Sequence, residues 1–154
     1  MNENYFLYKT HCEIIILPKV ASPSSITEEL GVAPSRFFKK GDQSISKKSG
    51  SVITKPYDLW AFGLNSTCLK VETISHHIHH LKTTFSLKID ILRKYKESSD
   101  YDVSFWVWIE SDNVGIGLDL DSEELDFINS ITNKMHISFI ANKDFDKDVV
   151  RFDT

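Results

Sequence analysis

With 154 residues, of which 41% are hydrophobic, 12% aromatic and 26% charged, the chain has the composition of a globular domain that buries its own core, which excludes intrinsic disorder and a disulfide-dependent miniprotein. A formal net charge of −4 argues against a dedicated nucleic-acid binder, and no apolar run approaches membrane-spanning length. We expect a single domain over residues 1–154, with no membrane partner.

The opening "MNENYFLYKTHCEIIILPK" lacks a basic segment leading into a sustained apolar stretch, so a cytoplasmic location is expected. Residues 12–17, "CEIIIL", read as a strand buried on both faces, because the apolar run is continuous rather than alternating, and Pro18 ends it. Ser25 and Glu28 have the spacing of a capping box and Gly31 suits a left-handed cap, which predicts a helix over 26–30. Residues 36–55 carry Arg36, Lys39, Lys40, Lys47, Lys48 and Lys55 against the one acid Asp42, and read as a long polar loop with at most a frayed hairpin.

"YDLWAFGL", 57–64, alternates so that Trp60, Phe62 and Leu64 share a face, as a strand requires. Ile74, Ile78, Leu81, Phe85, Ile89 and Leu92 then recur at steps of three and four, predicting one long helix to about Tyr95. "YDVSFWVWIE" and "VGIGLDL" flank "SDN" and read as a β-hairpin, with Phe105, Val107 and Ile109 facing the helices and Trp106 and Trp108 on the other side, beside Gly115 and Gly117. Asp121 and Glu124 start a third helix whose buried face is Leu125 and Ile128, "KMHISFI" is a final strand, and 142–154 is a polar tail. The order β-α-β-α-β-β-α-β gives an α+β domain, a largely antiparallel sheet with helices on one face, and within that class a ferredoxin-like variant.

The segments "SITEELGVAPSRFFKKGD", "KPYDLWAFGL", "HIHHL" and "VGIGLDLDSEELDFI" together resemble the bacterial domain-of-unknown-function family 4279. The matching positions are Ile26 to Pro34, Lys40 and Gly41, Trp60, His77 to Leu81, and Gly115 to Leu125. The resemblance implies a fold and no reaction, since no catalytic residues are assigned to that family.

The chemistry of the chain is sparse. "ISHHIHHL" holds His76, His77, His79 and His80. On a helix, His76, His79 and His80 face solvent, while His77 flanks the core and is expected to tie its ring to a backbone carbonyl or a neighbouring strand. His76 and His80 have the i,i+4 spacing of a shared metal, with Glu72 as a third ligand, but no H-E-x-x-H pattern is present and a solvated face is the expected reading. No metal or other cofactor is expected. Cys12 and Cys68 read as reduced, buried thiols, no G-x-S-x-G elbow or phosphate loop occurs, and the run Asp119, Asp121, Glu123, Glu124 is better explained by helix capping than by a calcium loop.

These readings point to a small binding or interaction domain rather than an enzyme, for which an immunity-type protein that blocks a toxin is one concrete form. Its partner would be another protein or a second copy of the chain. Candidate contacts are Arg36, Lys39 and Lys40 in the basic stretch, and Trp106 and Trp108, which form either a sticky patch or a structural shield. The alternative is an enzyme or small-ligand binder with a pocket between the long helix and the sheet, using His77 and Trp60.

Overall fold

A computed structural model describes residues 6–64, 74–111, 118–141 and 151–152. The elements are β1 (Phe6–Pro18), α1 (Pro23–Leu30), β2 (Arg36–Phe38), β3 (Gln43–Ile45), β4 (Val52–Thr54), β5 (Leu59–Gly63), α2 (Ile74–Thr84), α3 (Ile89–Glu97), β6 (Tyr101–Ser111), α4 (Ser122–Ile131), β7 (Lys134–Ala141) and β8 (Arg151–Phe152). The main sheet runs β2-β5-β1-β6-β7, with β8 pairing the start of β1, and β3 and β4 form a separate hairpin. All pairs are antiparallel except β6 with β7. The chain is thus α+β with a mostly antiparallel sheet.

Period-two alternation divides the central strands between two faces. Cys12, Ile14 and Ile16 of β1, Trp60 of β5, and Val103, Phe105, Val107 and Ile109 of β6 pack against side chains from all four helices, forming the main core. The opposite face carries Ile15, Leu59 and Ala61, with Leu17, Phe38, Trp106 and Trp108 packed on them. β1 is therefore buried on both faces, as its continuous apolar run requires, but only one of its covers is helical. Gly63 closes β5 where a Cβ would lie 2.3 Å from the Cys12 carbonyl oxygen, so no larger residue fits that crossing without movement.

Several local expectations are corrected. Helix α1 starts earlier than 26, because Pro23 has the fixed φ suited to a first turn and Ser22 caps it by accepting from the Ser25 amide at 3.3 Å. Ser25 sits inside that turn and donates its hydroxyl to the Ser22 carbonyl, while Gly31 makes the left-handed cap at φ 66°. The long helix is two helices. Thr83, Thr84 and Ser86 are weak helix formers at the corner, and Leu87 there is 92% exposed, while Phe85 stays buried and carries the apolar stripe across the break.

The stretch 36–55 is not one loop: Arg36–Phe38 adds a strand to the edge of β5, and 43–54 forms the hairpin of β3 and β4. Both edges of β6 are occupied, by β1 from Tyr101 to Ser111 and by β7 from Ser104 to Ser111. Residues 112–117, with the turn and both glycines expected there, lie outside the described residues, and Leu118 is not in a strand. Instead α4 carries the chain from β6 to a parallel β7, the geometry a helical crossover permits. Asp121 and Glu124 do form the capping box of α4, with Glu124 N–H donating to Asp121 at 2.8 Å and Asp121 N–H to Glu124 at 3.0 Å. Its buried face is Phe127, Ile128 and Ile131, whereas Leu125 is 47% exposed.

Candidate functional site: a cleft on the open face of the sheet

The face of the sheet without helices is built in rows by strand register. One row runs Arg36, Ala61, Ile15, Ser104, Lys134, the next Gly63, Glu13, Trp106, His136, and the third pairs His11 with Trp108 and Trp108 with Ser138. Four rings stack along it: His11 on Trp108 at 5.4 Å, Trp108 on Trp106 at 5.3 Å, and Trp106 on His136 at 3.8 Å between centroids. Because each indole has a neighbour on both faces, it offers its edge to what lies above. The Trp106 Nε1–H is taken by the Ser104 hydroxyl at 2.9 Å.

The arm formed by β3, β4 and the residues after them borders this face and leaves a cleft of about 450 Å³. Ile15, Arg36, Phe38, Leu59, Ser104, Trp106 and Trp108 are on its sheet side, and Ile53, Lys55 and Tyr57 on its arm side. Lys55 Nζ stands 4.7 Å from the centre of the Phe38 ring, which in turn contacts Tyr57 at 5.8 Å. At the far rim Lys134 is paired with Asp102 at 2.9 Å.

Beneath Arg36 lies Glu13, only 2% exposed. Arg36 grips it with two bonds, Nε–H to Oε1 at 2.7 Å and an Nη2–H to Oε2 at 3.1 Å. His11 lies on its other side, Nε2 3.5 Å from Oε2, with Nδ1 2.8 Å from the Leu64 carbonyl oxygen. Burial pushes the Glu13 carboxyl upward, but hydrogen bonds from His11 and Arg36 and the Arg36 charge outweigh it and hold the group below its usual value. The grip uses the Nε side of the guanidinium, and no described residue bonds Nη1.

The sequence candidates separate. Arg36, Trp106 and Trp108 come together at the cleft. Lys39 and Lys40 are exposed at the turn before β3, where their amides, not their charges, are fixed by Asp42 and Asp58. Lys40 borders an adjoining hollow of about 380 Å³ near Tyr57 and Asp102. Trp60 and His77 lie in the helix-side core, 0% and 1% exposed, on the opposite face of the sheet from the cleft. Trp60 Nε1–H donates to the Thr27 hydroxyl at 3.0 Å.

His77 packs against the strand β1, close to the Thr10 backbone and edge-on to His11 at 6.4 Å, although no contact to either ring nitrogen has full hydrogen-bond geometry. Burial drives its pKa down to about 4, the charge on His11 adds to the drop, and the nearby Thr10 backbone offsets part of it. The other three histidines do not converge. His76 and His79 are exposed, while His80 stacks on Phe62 at 6.1 Å with its Nε2 3.3 Å from the Thr84 hydroxyl. Glu72 and Cys68 lie outside the described residues. Cys12 is buried, and burial pushes its thiol up, away from a reactive thiolate.

Sequence reasoning missed Glu13, His11, Lys55 and Lys134 as parts of one site. Glu13 was visible in principle, since a charge inside a run buried on both faces demands a counter-ion.

The model of the family described as "Domain of unknown function (DUF4279)" matches residues 8–142. The chain belongs to this family. The match takes in β1 from Tyr8 onward, β2, β5, β6, β7 and all four helices, and therefore the whole floor of the cleft. No curated protein and no solved structure matches the DUF4279 chain. Among the described residues, no helix is long and apolar enough to cross a membrane.

Proposed function

We propose that this DUF4279 protein is a binding domain whose site is the cleft on the open face of its sheet. The observation that carries the reading is the indole pair, half-buried at the cleft on the face that no helix covers. Large apolar pockets fringed by a few fixed polar groups are where ligands are held. The titratable groups favour binding over catalysis. Glu13 is kept ionised by its partners and has no proton to offer, His77 is shut in the core, and the Cys12 thiol is buried. An immunity-type protein, in which the occupant belongs to a toxin, is one form of this reading.

The test is a fragment screen followed by amide chemical shifts. Shifts should cluster at Ile15, Leu59, Ser104 and Trp106, and vanish in the folded double variant Trp106→Ser, Trp108→Ser. Hits that gather on the helix side instead would overturn the reading. If the indoles only shield backbone, the double variant loses thermal stability while binding and assembly stay unchanged.

A further inference from the structure

The cleft's cations exceed its carboxylates by one: Arg36, Lys55 and Lys134 stand against Glu13 and Asp102. Arg36 is pinned by Glu13 through its Nε side, so its Nη1 edge is oriented and unspent. Such a fork, fixed by a buried carboxylate, presents two parallel N–H groups at little further entropic cost, the arrangement that receives a carboxylate bidentately. Two residues along β2 on the same face is Phe38, with Lys55 Nζ held over its ring, and no described carboxylate pairs with Lys55. The stacked indoles add to the field, because an aromatic ring is positive at its edge and their faces are occupied. Lys134 is neutralised by Asp102 as Arg36 is by Glu13, which leaves Lys55 as the cleft's unpaired cation among the described residues and Arg36 as a donor of hydrogen bonds.

The remaining floor is apolar, formed by Ile15 and Leu59, and the cleft's volume of about 450 Å³ is that of a small-molecule site. Resting on the reading that this cleft is the binding site, we propose that its ligand is a small carboxylate with a flat apolar body. The carboxylate bridges the Nη edge of Arg36 and the ammonium of Lys55, and the body lies over Ile15 and Leu59 against the indole edges. Recognition needs both parts: the anion selects against neutral apolar molecules, and the floor selects against fully hydrated anions.

The probes are 2-naphthoate and its uncharged counterpart 2-naphthylmethanol, titrated against the full chain and followed by amide shifts. Naphthoate should bind at least about tenfold more tightly, a difference that shrinks with added salt. Lys55→Gln, an arm residue whose loss does not threaten the core, should weaken naphthoate several-fold and leave the alcohol unchanged. Glu13→Gln with Arg36→Gln, which removes both charges together, should reduce the preference to the share that Lys55 supplies, and adding Lys55→Gln should abolish it. Equal affinity for the two probes overturns the carboxylate assignment while leaving the cleft a binding site. If neither probe shifts the cleft amides, the assignment and the cleft reading fall together. Tighter binding of the peptide acetyl-Phe-Glu-Phe-amide than of naphthoate overturns the small-molecule assignment in favour of a protein segment bearing the same group.

Discussion

Replacing Arg36 by Met removes the cation that Glu13 depends on while keeping a long side chain over the strand. Breaking a buried ion pair from one side costs about 3–5 kcal/mol when both partners are fully buried. Here Glu13 is 2% exposed but the Arg36 side chain is 48% exposed, so water takes over part of its role and the expected loss is lower, about 2–3 kcal/mol. For a chain of this size that is a drop in Tm of roughly 5–10 °C. The pH dependence identifies the cause. In the native protein the Glu13 pKa is depressed, so its contribution is fully present above the unfolded carboxylate pKa and is lost as pH falls through the folded value. In Arg36→Met only His11 still opposes burial, so the carboxyl should shift upward from its native value, and the penalty should be greatest at neutral pH and fade on acidification. Urea unfolding of both proteins from pH 8 to pH 4 should show the stability gap closing as pH falls. The Glu13→Gln, Arg36→Met double variant should recover most of the loss at pH 7. A gap below about 1 kcal/mol, or one that is flat across this range, would refute the account of the pair as a buried charge with one dominant partner.

His77 should titrate near its depressed pKa of about 4 in the folded state, so stability falls as pH drops from about 6.5 to about 4, by roughly 3 kcal/mol at 1.36 kcal/mol per unit. Urea unfolding of His77→Leu should lack that slope and be at least as stable below pH 5, and an imidazole resonance titrating near 6.5 would contradict the burial argument. Brief trypsin treatment should cut first after Lys47 or Lys48, in the exposed turn of the β3–β4 hairpin, and leave the β2 pairing intact. Protein purified without an affinity tag should contain no stoichiometric zinc or nickel, and a full equivalent lost on His76→Ala would reverse this.

What the sequence made legible was what local periodicity encodes. The alternation in "SFWVWI" sends Phe105, Val107 and Ile109 to the helices and the indoles outward, and the spacing of Asp121 and Glu124 starts α4, as observed. The corner between α2 and α3 was hidden because Phe85 keeps the apolar stripe in step across it. The β2 strand was hidden for another reason: "RFF" joins the sheet through backbone bonds to β5, which no side-chain pattern announces. Likewise the parallel pairing of β7 depends on where α4 returns the chain, and a hairpin was the cheaper local solution. In the site, Arg36 and both indoles were identifiable one at a time. Their convergence was not, since it depends on the register between β1, β2 and β6.

The placement of Glu13 bears on why the cleft has this form. An apolar pair of similar volume at positions 13 and 36 would extend the Ile15 and Leu59 surface, and such replacements of buried ion pairs are often neutral or stabilising. Stability alone therefore does not require a carboxylate in the central strand beside a tryptophan stack. What the carboxylate supplies that an apolar residue cannot is orientation: held through Nε and one Nη2 hydrogen, the guanidinium cannot turn without breaking two charge-assisted bonds. His11 fixes the carboxylate from the other side, anchored in turn by the carbonyl of Leu64 at the end of β5, the strand that β2 joins. The chain of contacts Leu64, His11, Glu13, Arg36 thus ties the direction of one cationic edge to the backbone frame of the sheet, a rigidity that an apolar pair at positions 13 and 36 would not supply.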